Sequence, residues 1–332
     1  MKRSIERIFA FLFIVLAMTV FMCACADTSG DDDDDTVADP PRYRAVGYLP
    51  DWSYNLFDVK DFDKLTHLNI SFCNPKGDGF GCGIPDGDFK RIVTAAHGVK
   101  TKVLAALGGG GYGDPYRNLI ATNESRTALN DKIEKFCLDH DLDGIDLDIE
   151  LDSSDVIWMN YGAWVSELRT ICDEHGWLLS TATAQWVAHG VSKETFAMFD
   201  YLNVMAYDDD SRPSSHSSYE CATDMLDYFE KTKGVSKEKL VLGVPFYGRG
   251  YSGGRLDWSS YMSFKDIVNS DKSLYEADYT ASGIAYNGAA TMKKKCALAK
   301  NYGGIMIWEI TLDAGGDYSL LKLIDGELRG AV

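Results

Sequence analysis

Eight apolar, strand-like runs alternate with amphipathic helical stretches over roughly 290 residues, and this predicts a closed (β/α)8 TIM barrel. A single domain of that length is unusual unless it is a barrel. The runs are 43–52, 65–73, 102–108, 144–150, 178–185, 201–208, 240–247 and 304–310. Most are continuously apolar, as expected for strands covered on both faces. The clearest helical patterns between them are 126–140, 159–175, 219–233 and 291–300. A doubly wound open sheet is the alternative, but no Gly-x-Gly-x-x-Gly opens a helix after the first strand.

The chain opens with Lys2, Arg3 and Arg7, followed by an apolar run from Ile8 to about Ala26 that only Thr19 interrupts. That run is long enough to span a bilayer, but Cys23 and Cys25 close it. Ser29, Gly30 and the acids Asp31 to Asp35 follow. The pattern resembles a bacterial lipoprotein signal over residues 1–24, with the lipid on Cys25 (Cys23 is the alternative). Residues 25–41 hold almost nothing apolar and are expected to be an acidic flexible tether. The barrel domain is expected at 42–332, outside the inner membrane, with the outer membrane and cell surface of a Gram-negative bacterium as its destination.

The 332 residues carry a net charge of −17, with 50 acidic against 33 basic side chains. An acidic domain is a poor nucleic-acid binder, and suits an uncharged ligand such as a sugar.

One eight-residue stretch, Asp143-Gly144-Ile145-Asp146-Leu147-Asp148-Ile149-Glu150, organises the rest. Alternate side chains of a strand share a face, so Asp146, Asp148 and Glu150 form one row and Ile145, Leu147 and Ile149 the other. Three adjacent carboxylates on a largely buried strand repel, and at least one should keep its proton near neutral pH. That is what a general acid requires. A solvated strand face would seldom carry an unbroken acidic row. A calcium loop fails because Gly144 comes too early and Ile145 stands where the third ligand should be.

Barrels of this type carry their working residues at the C-terminal ends of the strands. Tyr48 and Trp52, Phe72, Gly108 to Gly111, Gln185 and Trp186, Tyr207 and Asp208, Tyr247 with Arg249, and Trp308 all fall there. Aromatic groups converging on one face suggest a sugar cleft. Glu309 has the opposite parity to Trp308, so only one of the two can face that cleft.

The pattern Asp-Gly-x-Asp-x-Asp-x-Glu resembles the signature of glycoside hydrolase family 18, the chitinases and endo-β-N-acetylglucosaminidases. Other segments resemble it in order: 102–109 the third-strand Ser-x-Gly-Gly motif (with Ala106 in place of Ser), 205–208 the sixth-strand Met-x-Tyr-Asp, 245–250 the seventh and 304–309 the eighth. The resemblance implies retaining, substrate-assisted hydrolysis, in which the 2-acetamido oxygen of the substrate attacks the anomeric carbon. Glu150 would then be the acid and later the base. Asp148 would hold the acetamido N–H, Asp146 would tune it from behind, and Tyr207 would orient the acetamido carbonyl. Trp308 would floor the site, and Met205, Asp208, Tyr247 and Arg249 would line it, with Tyr48 and Phe72 as further substrate contacts.

The implied partner is an N-acetylglucosamine-containing glycan. The protein is expected to be a monomer, attached to the membrane through its lipid. A non-catalytic sugar-binding protein would use the same barrel, although lectin-like members typically lack the acid that this chain has at Glu150. About forty residues separate the seventh strand from the last helix, which is too short for a large α+β insertion. No cofactor and no metal are implied. Cys73 and Cys82 flank a Gly-rich loop and could pair in an oxidising compartment. Cys137, Cys172, Cys221 and Cys296 lie in helical patterns as buried thiols. His67, His97, His140, His175, His189 and His216 are read as structural or exposed.

Overall fold

The computed structural model describes residues 43–212 and 215–330. The signal, the tether and Cys25 lie outside these residues. Twelve strands are present among them: β1 (Arg44–Pro50), β2 (His67–Ser71), β3 (Asn74–Lys76), β4 (Gly79–Gly81), β5 (Lys102–Gly108), β6 (Gly144–Asp148), β7 (Leu178–Thr183), β8 (Tyr201–Val204), β9 (Leu240–Pro245), β10 (Tyr247–Ser252), β11 (Arg255–Ser263) and β12 (Gly304–Trp308). Eight of them close a parallel barrel in the order β1-β12-β9-β8-β7-β6-β5-β2. Antiparallel hairpins β3–β4 and β10–β11 stand outside it. The predicted barrel and all eight of its strands are present.

Side-chain parity builds two cores. On β6, Ile145 and Leu147 join the apolar layer between strands and helices, while Asp146 and Asp148 face the interior. On β1, Ala45 and Leu49 point outward, and Val46 and Tyr48 inward. Ala106 on β5 is directly beside Asp146, and Ser180 on β7 flanks that acid from the other side. A small residue at 106 leaves room for the carboxyl and its partners.

The helices are set by their ends. Asn123–Asp139 starts behind Thr122, whose hydroxyl accepts from the Ser125 N–H while the Ser125 hydroxyl accepts from the Thr122 N–H. Its buried face is Leu129, Ile133, Phe136 and Cys137. Trp158–His175 stops at Gly176 in the left-handed region. Leu320–Arg329 buries Leu320, Leu321, Ile324 and Leu328, a gross gain of roughly 6–12 kcal/mol before ordering costs. Among the described residues, no helix is long and apolar enough to cross a membrane.

Several expected strands were drawn too long at their C-terminal ends. β7 stops at Thr183 because a short helix begins at Gln185. β8 stops at Val204, four residues before Asp208, whose φ of 55° no strand accommodates. β9 ends at Pro245, which has no N–H to extend the ladder. Tyr247 opens the β10–β11 hairpin instead. The expected helix 219–233 is α-helical only to Asp227, with a π turn over Tyr228–Thr232. The segment after β9 holds one hairpin and the short helix Phe264–Ser270, with no large insertion.

All six cysteines from Cys73 onward are free thiols, so the optional Cys73–Cys82 disulfide is not formed in this structure. Cys137, Cys172, Cys221 and Cys296 are buried, as expected.

Gly144 lets β6 and β7 approach: a Cβ there would sit 2.2 Å from the Leu178 carbonyl oxygen. Gly144→Ala should lower stability by about 3 kcal/mol or more, measured by denaturant unfolding. Gly87→Ala, where a Cβ meets nothing within 4 Å, is the near-neutral control.

Candidate active site

Asp146 is fully buried on the barrel axis and fully engaged. Tyr48 Oη donates to it at 2.6 Å, Ser180 Oγ at 2.6 Å and Asn203 Nδ2 at 3.1 Å. Burial pushes its carboxyl up to about 6, against the opposing pull of these hydrogen bonds. Asp148, one inward position further, is also buried, but its Oδ1 has no hydrogen-bond partner among the described residues. Burial first, then the charges of Glu150 and Asp146, raise it well above the carboxylate range. Glu150, half-buried just beyond β6, is raised to about 7 by burial and then by the negative charge of Asp208.

The glycine run after β5 allows this crowding. Gly108 and Gly109 have φ of 95° and 92°. A Cβ on Gly108 would lie 2.2 Å from the Asp148 carbonyl oxygen, and one on Gly109 2.4 Å from the Phe72 ring. The Gly109 N–H donates to that same Asp148 carbonyl at 2.8 Å.

The segment after β8 supplies the facing wall. Arg249 donates to the Asp208 carboxylate through Nε and Nη2, both at 3.2 Å, and His216 Nδ1 lies 3.1 Å from it. Burial alone would raise Asp208, but the hydrogen bonds and charges of His216 and Arg249 outweigh it and hold the carboxyl below its usual range. His216 Nδ1 also faces the Asp208 N–H at 3.3 Å, so one ring nitrogen meets both the backbone and the carboxylate of Asp208. Behind His216, the buried Lys295 donates to Ser217 O at 2.8 Å, Ser217 Oγ at 2.7 Å and Asn287 Oδ1 at 2.7 Å. Ser217 Oγ in turn donates to Ala206 O at 2.7 Å. Lys295 thus anchors both ends of the segment that carries Tyr207 and Asp208.

These walls enclose an open cleft of ≈ 870 Å³ at the C-terminal ends of the strands. Of the residues expected from the sequence, Glu150, Asp148, Phe72, Met205, Tyr207, Asp208, Tyr247 and Trp308 line it. Trp308 stacks on Phe72 at 5.7 Å and 26°. Glu309 turns away as parity requires, accepting from Thr311 N at 2.7 Å and Thr311 Oγ1 at 2.8 Å.

Three placements differ from expectation or refine it. Tyr48 is not on the cleft surface: it is buried beneath Trp308, ring against ring at 5.6 Å, and its hydroxyl serves Asp146. Arg249 sits behind Asp208 and spans the rings of Tyr247, Trp258 and Tyr261 rather than lining the cleft. Asp146 has no hydrogen bond to Asp148, so it acts on Asp148 by charge through space.

Trp258 on β11 is a cleft residue that the barrel pattern could not show, because its strand lies outside the barrel. Trp52 and Trp186, noticed as strand-end aromatics, also line the cleft. His216, read only as structural or exposed, is fully buried against Tyr247 and Asp208. Among the described residues, no group of three or more His, Cys, Asp or Glu could hold a metal ion.

A sign follows for stability. The Glu150 carboxyl titrates near 7 in the fold against an ordinary 4.5, so the folded state holds the proton more tightly. Its stabilising contribution is complete below pH 4.5 and is lost as pH rises through 7. Glu150→Gln should match wild type at pH 4 and exceed it by about 2 kcal/mol at pH 8, read as Tm across pH.

A family model for glycosyl hydrolases family 18 matches residues 44–313. Among curated proteins, the chain is 24% identical to chitinase A1 of Niallia circulans, over 82% of this chain and 56% of that one. It is 25% identical to probable chitinase 2 of Drosophila melanogaster, over 64% and 56%. The chain thus spans little more than half the length of these relatives. Among solved structures, the GH18 chitinase ChiB from the chitin utilization locus of Flavobacterium johnsoniae aligns with a TM-score of 0.76 at 33% identity, over 87% of this chain and 94% of that one. A chitinase from Bacteroides thetaiotaomicron aligns with a TM-score of 0.77 at 27% identity, over 87% and 97%. With the acidic strand in place at the base of an aromatic cleft and 270 consecutive residues matching the family model, the chain belongs to glycosyl hydrolases family 18.

Proposed function

We propose that this protein is a chitinase, hydrolysing β-1,4-linked N-acetylglucosamine chains with retention and with the substrate's own acetamido group as nucleophile. The observation that carries the reading is the Asp148–Glu150 pair. One carboxyl is buried with an oxygen left unbonded by the protein. The other titrates near 7 at the cleft surface, two residues along the chain.

A two-carboxylate mechanism needs a second free carboxylate across the scissile bond. The other acids on the cleft are occupied. Asp51 accepts from Gly83 N, Asp208 is bound by Arg249 and His216, Asp209 by Arg212, and Asp210 by Arg255. This supports a substrate that brings its own nucleophile, as a 2-acetamido sugar does.

In this mechanism Glu150, protonated near neutral pH, donates to the glycosidic oxygen as that bond breaks. Asp148 accepts the acetamido N–H through its unbonded oxygen, and the positive charge that develops on the ring beside it favours release of the carboxyl's own proton. Asp146, held by three donors, keeps a fixed negative field behind it. Tyr207, on the cleft wall, orients the acetamido carbonyl toward the anomeric carbon. Trp308 provides the flat apolar surface under the reacting sugar. Glu150 then takes a proton from the water that opens the cyclic intermediate, and the starting configuration is restored.

From residues 1–41 alone we also infer export and attachment to the membrane by a lipid on Cys25.

Wild type and Glu150→Gln are compared on chitin oligosaccharides and on a high-mannose glycoprotein, with products read by mass. Short N-acetylglucosamine oligomers should appear with wild type, and the variant should retain less than a tenth of that turnover. The rate should fall as pH rises past about 7, following loss of the Glu150 proton. Release of whole glycans that leaves one sugar on Asn would make the protein an endo-β-N-acetylglucosaminidase instead. Binding of either glycan without cleavage would make it a lectin.

A further inference from the structure

The β3–β4 hairpin stands at the mouth of the cleft, with Asn74 opposite Gly81, Pro75 opposite Phe80 and Lys76 opposite Gly79. Opposed pairs in an antiparallel ladder alternate between those that exchange N–H···O bonds and those that do not. Pro75 has no N–H, so Pro75–Phe80 is the unbonded kind and Asn74–Gly81 the bonded kind. Continued one step beyond the ladder, the same register sets Cys73 opposite Cys82 at an unbonded position. The Cys73 N–H agrees, since it donates across to Ala106 O on β5 at 2.7 Å.

At such positions Cα atoms approach to about 4.5 Å and the side chains converge, within the ~4.4–6.8 Å that a disulfide spans. The Cys73 S–H donates to Ile70 O at 3.6 Å, and the neighbouring Cys73 thiol lowers the Cys82 thiol below its ordinary range. Burial first, and the Cys82 thiol second, raise Cys73 well above it. Cys82 is half-buried and Cys73 fully enclosed, so an incoming reagent meets Cys82 first.

We propose that Cys73 and Cys82 are a covalent cross-linking site, closed by exchange with an external disulfide, that fastens the β3–β4 hairpin to the end of β2. The Cys82 thiolate attacks one sulfur of the external disulfide and expels a thiolate. Cys73 then loses its proton and displaces the second thiolate from the mixed disulfide on Cys82. The two protein thiols are oxidised, and the external disulfide leaves as two thiols carrying both electrons and both protons.

What the bond fastens is part of the cleft wall. Asn74 and Lys76 line the cleft. Asn74 exchanges hydrogen bonds with Gly108 at 3.0 and 2.9 Å, and Tyr112 Oη donates to Pro75 O at 2.7 Å. On the far strand, Gly83 N donates to Asp51 beside Trp52. The cross-link would join these two anchored ends into one closed ring that neither strand could leave alone.

The full chain is incubated with oxidised glutathione, denatured without reductant, alkylated with iodoacetamide and mapped by peptide mass. Alkylation should be lost at positions 73 and 82 together, through one linked peptide pair, and dithiothreitol should restore it. The oxidised form should melt about 5 °C higher than the reduced form. Cys73→Ser should instead retain one glutathione on Cys82 and show no gain in Tm. Cys82→Ser, at the more exposed position, should leave Cys73 unmodified until the chain unfolds. Alkylation at both 73 and 82 in oxidised wild type, or a glutathione adduct on Cys82 that never resolves, overturns the proposal. None of these readouts uses sugar turnover, so failure here leaves the proposed hydrolysis untouched.

Discussion

The structure depends on the desolvation of carboxyl groups in a row along one strand. A buried, ionised carboxylate is costly unless it is paired or hydrogen-bonded, and β6 buries two of them in succession. The barrel treats them unequally. Asp146, at the deeper level, has three donors from β1, β7 and β8. Asp148, one level up, has an oxygen with none. The first arrangement supports a resident charge. The second leaves hydrogen-bonding capacity for a group that arrives with the ligand. Small neighbours make this possible, notably Ala106 beside Asp146 and the glycines at 108 and 109.

The facing wall answers the same electrostatic problem in another way. Asp208 is close enough to raise Glu150 by its charge, and it remains ionised only because Arg249 and His216 hold it. Those two residues come from separate segments, one on β10 and one near the end of the long loop after β8. Lys295 makes three hydrogen bonds to neutral acceptors, and two of them, to Ser217, tie that loop down. Burial lowers its ammonium to about 8, yet three acceptors call for three N–H donors, which only the protonated form supplies. Glu150, just beyond β6, is therefore tuned partly from a helix near the end of the domain.

How much of this was readable in the sequence follows from which residues obey a period. β6 was readable in full, because strict alternation assigns each side chain to a face before any packing is known. The eight strands could be counted for a related reason, each being an apolar run covered on both sides. Strand ends were less readable. Asp208 and Gln185 continue the apolar-polar rhythm in sequence while the backbone has already turned away. Tyr48 was placed near a strand end correctly, but linear spacing carries no depth, and two residues separate an axis hydroxyl from a cleft surface. Lys295 was hidden because it follows Lys293 and Lys294 in what reads as a solvated helical face. Trp258 was hidden because hairpin residues outside the barrel share no repeat with it.

The four helical cysteines bear on how the molecule is lost. Burial raises the thiols of Cys172, Cys221 and Cys296 to about 12, and that of Cys137 further still, so they are inert while the barrel stands. Once the helices detach, all four return to ordinary thiol reactivity in a collapsing, apolar chain. In air, with oxygen taking the electrons, the exposed thiols would pair wrongly, and each wrong bond would remove a chain from the pool that can refold. Endurance becomes a question of how fast the barrel opens, not of how far the equilibrium lies toward the native state. A melting temperature recorded in air would then drift with heating rate, and the protein's working lifetime would be a half-life.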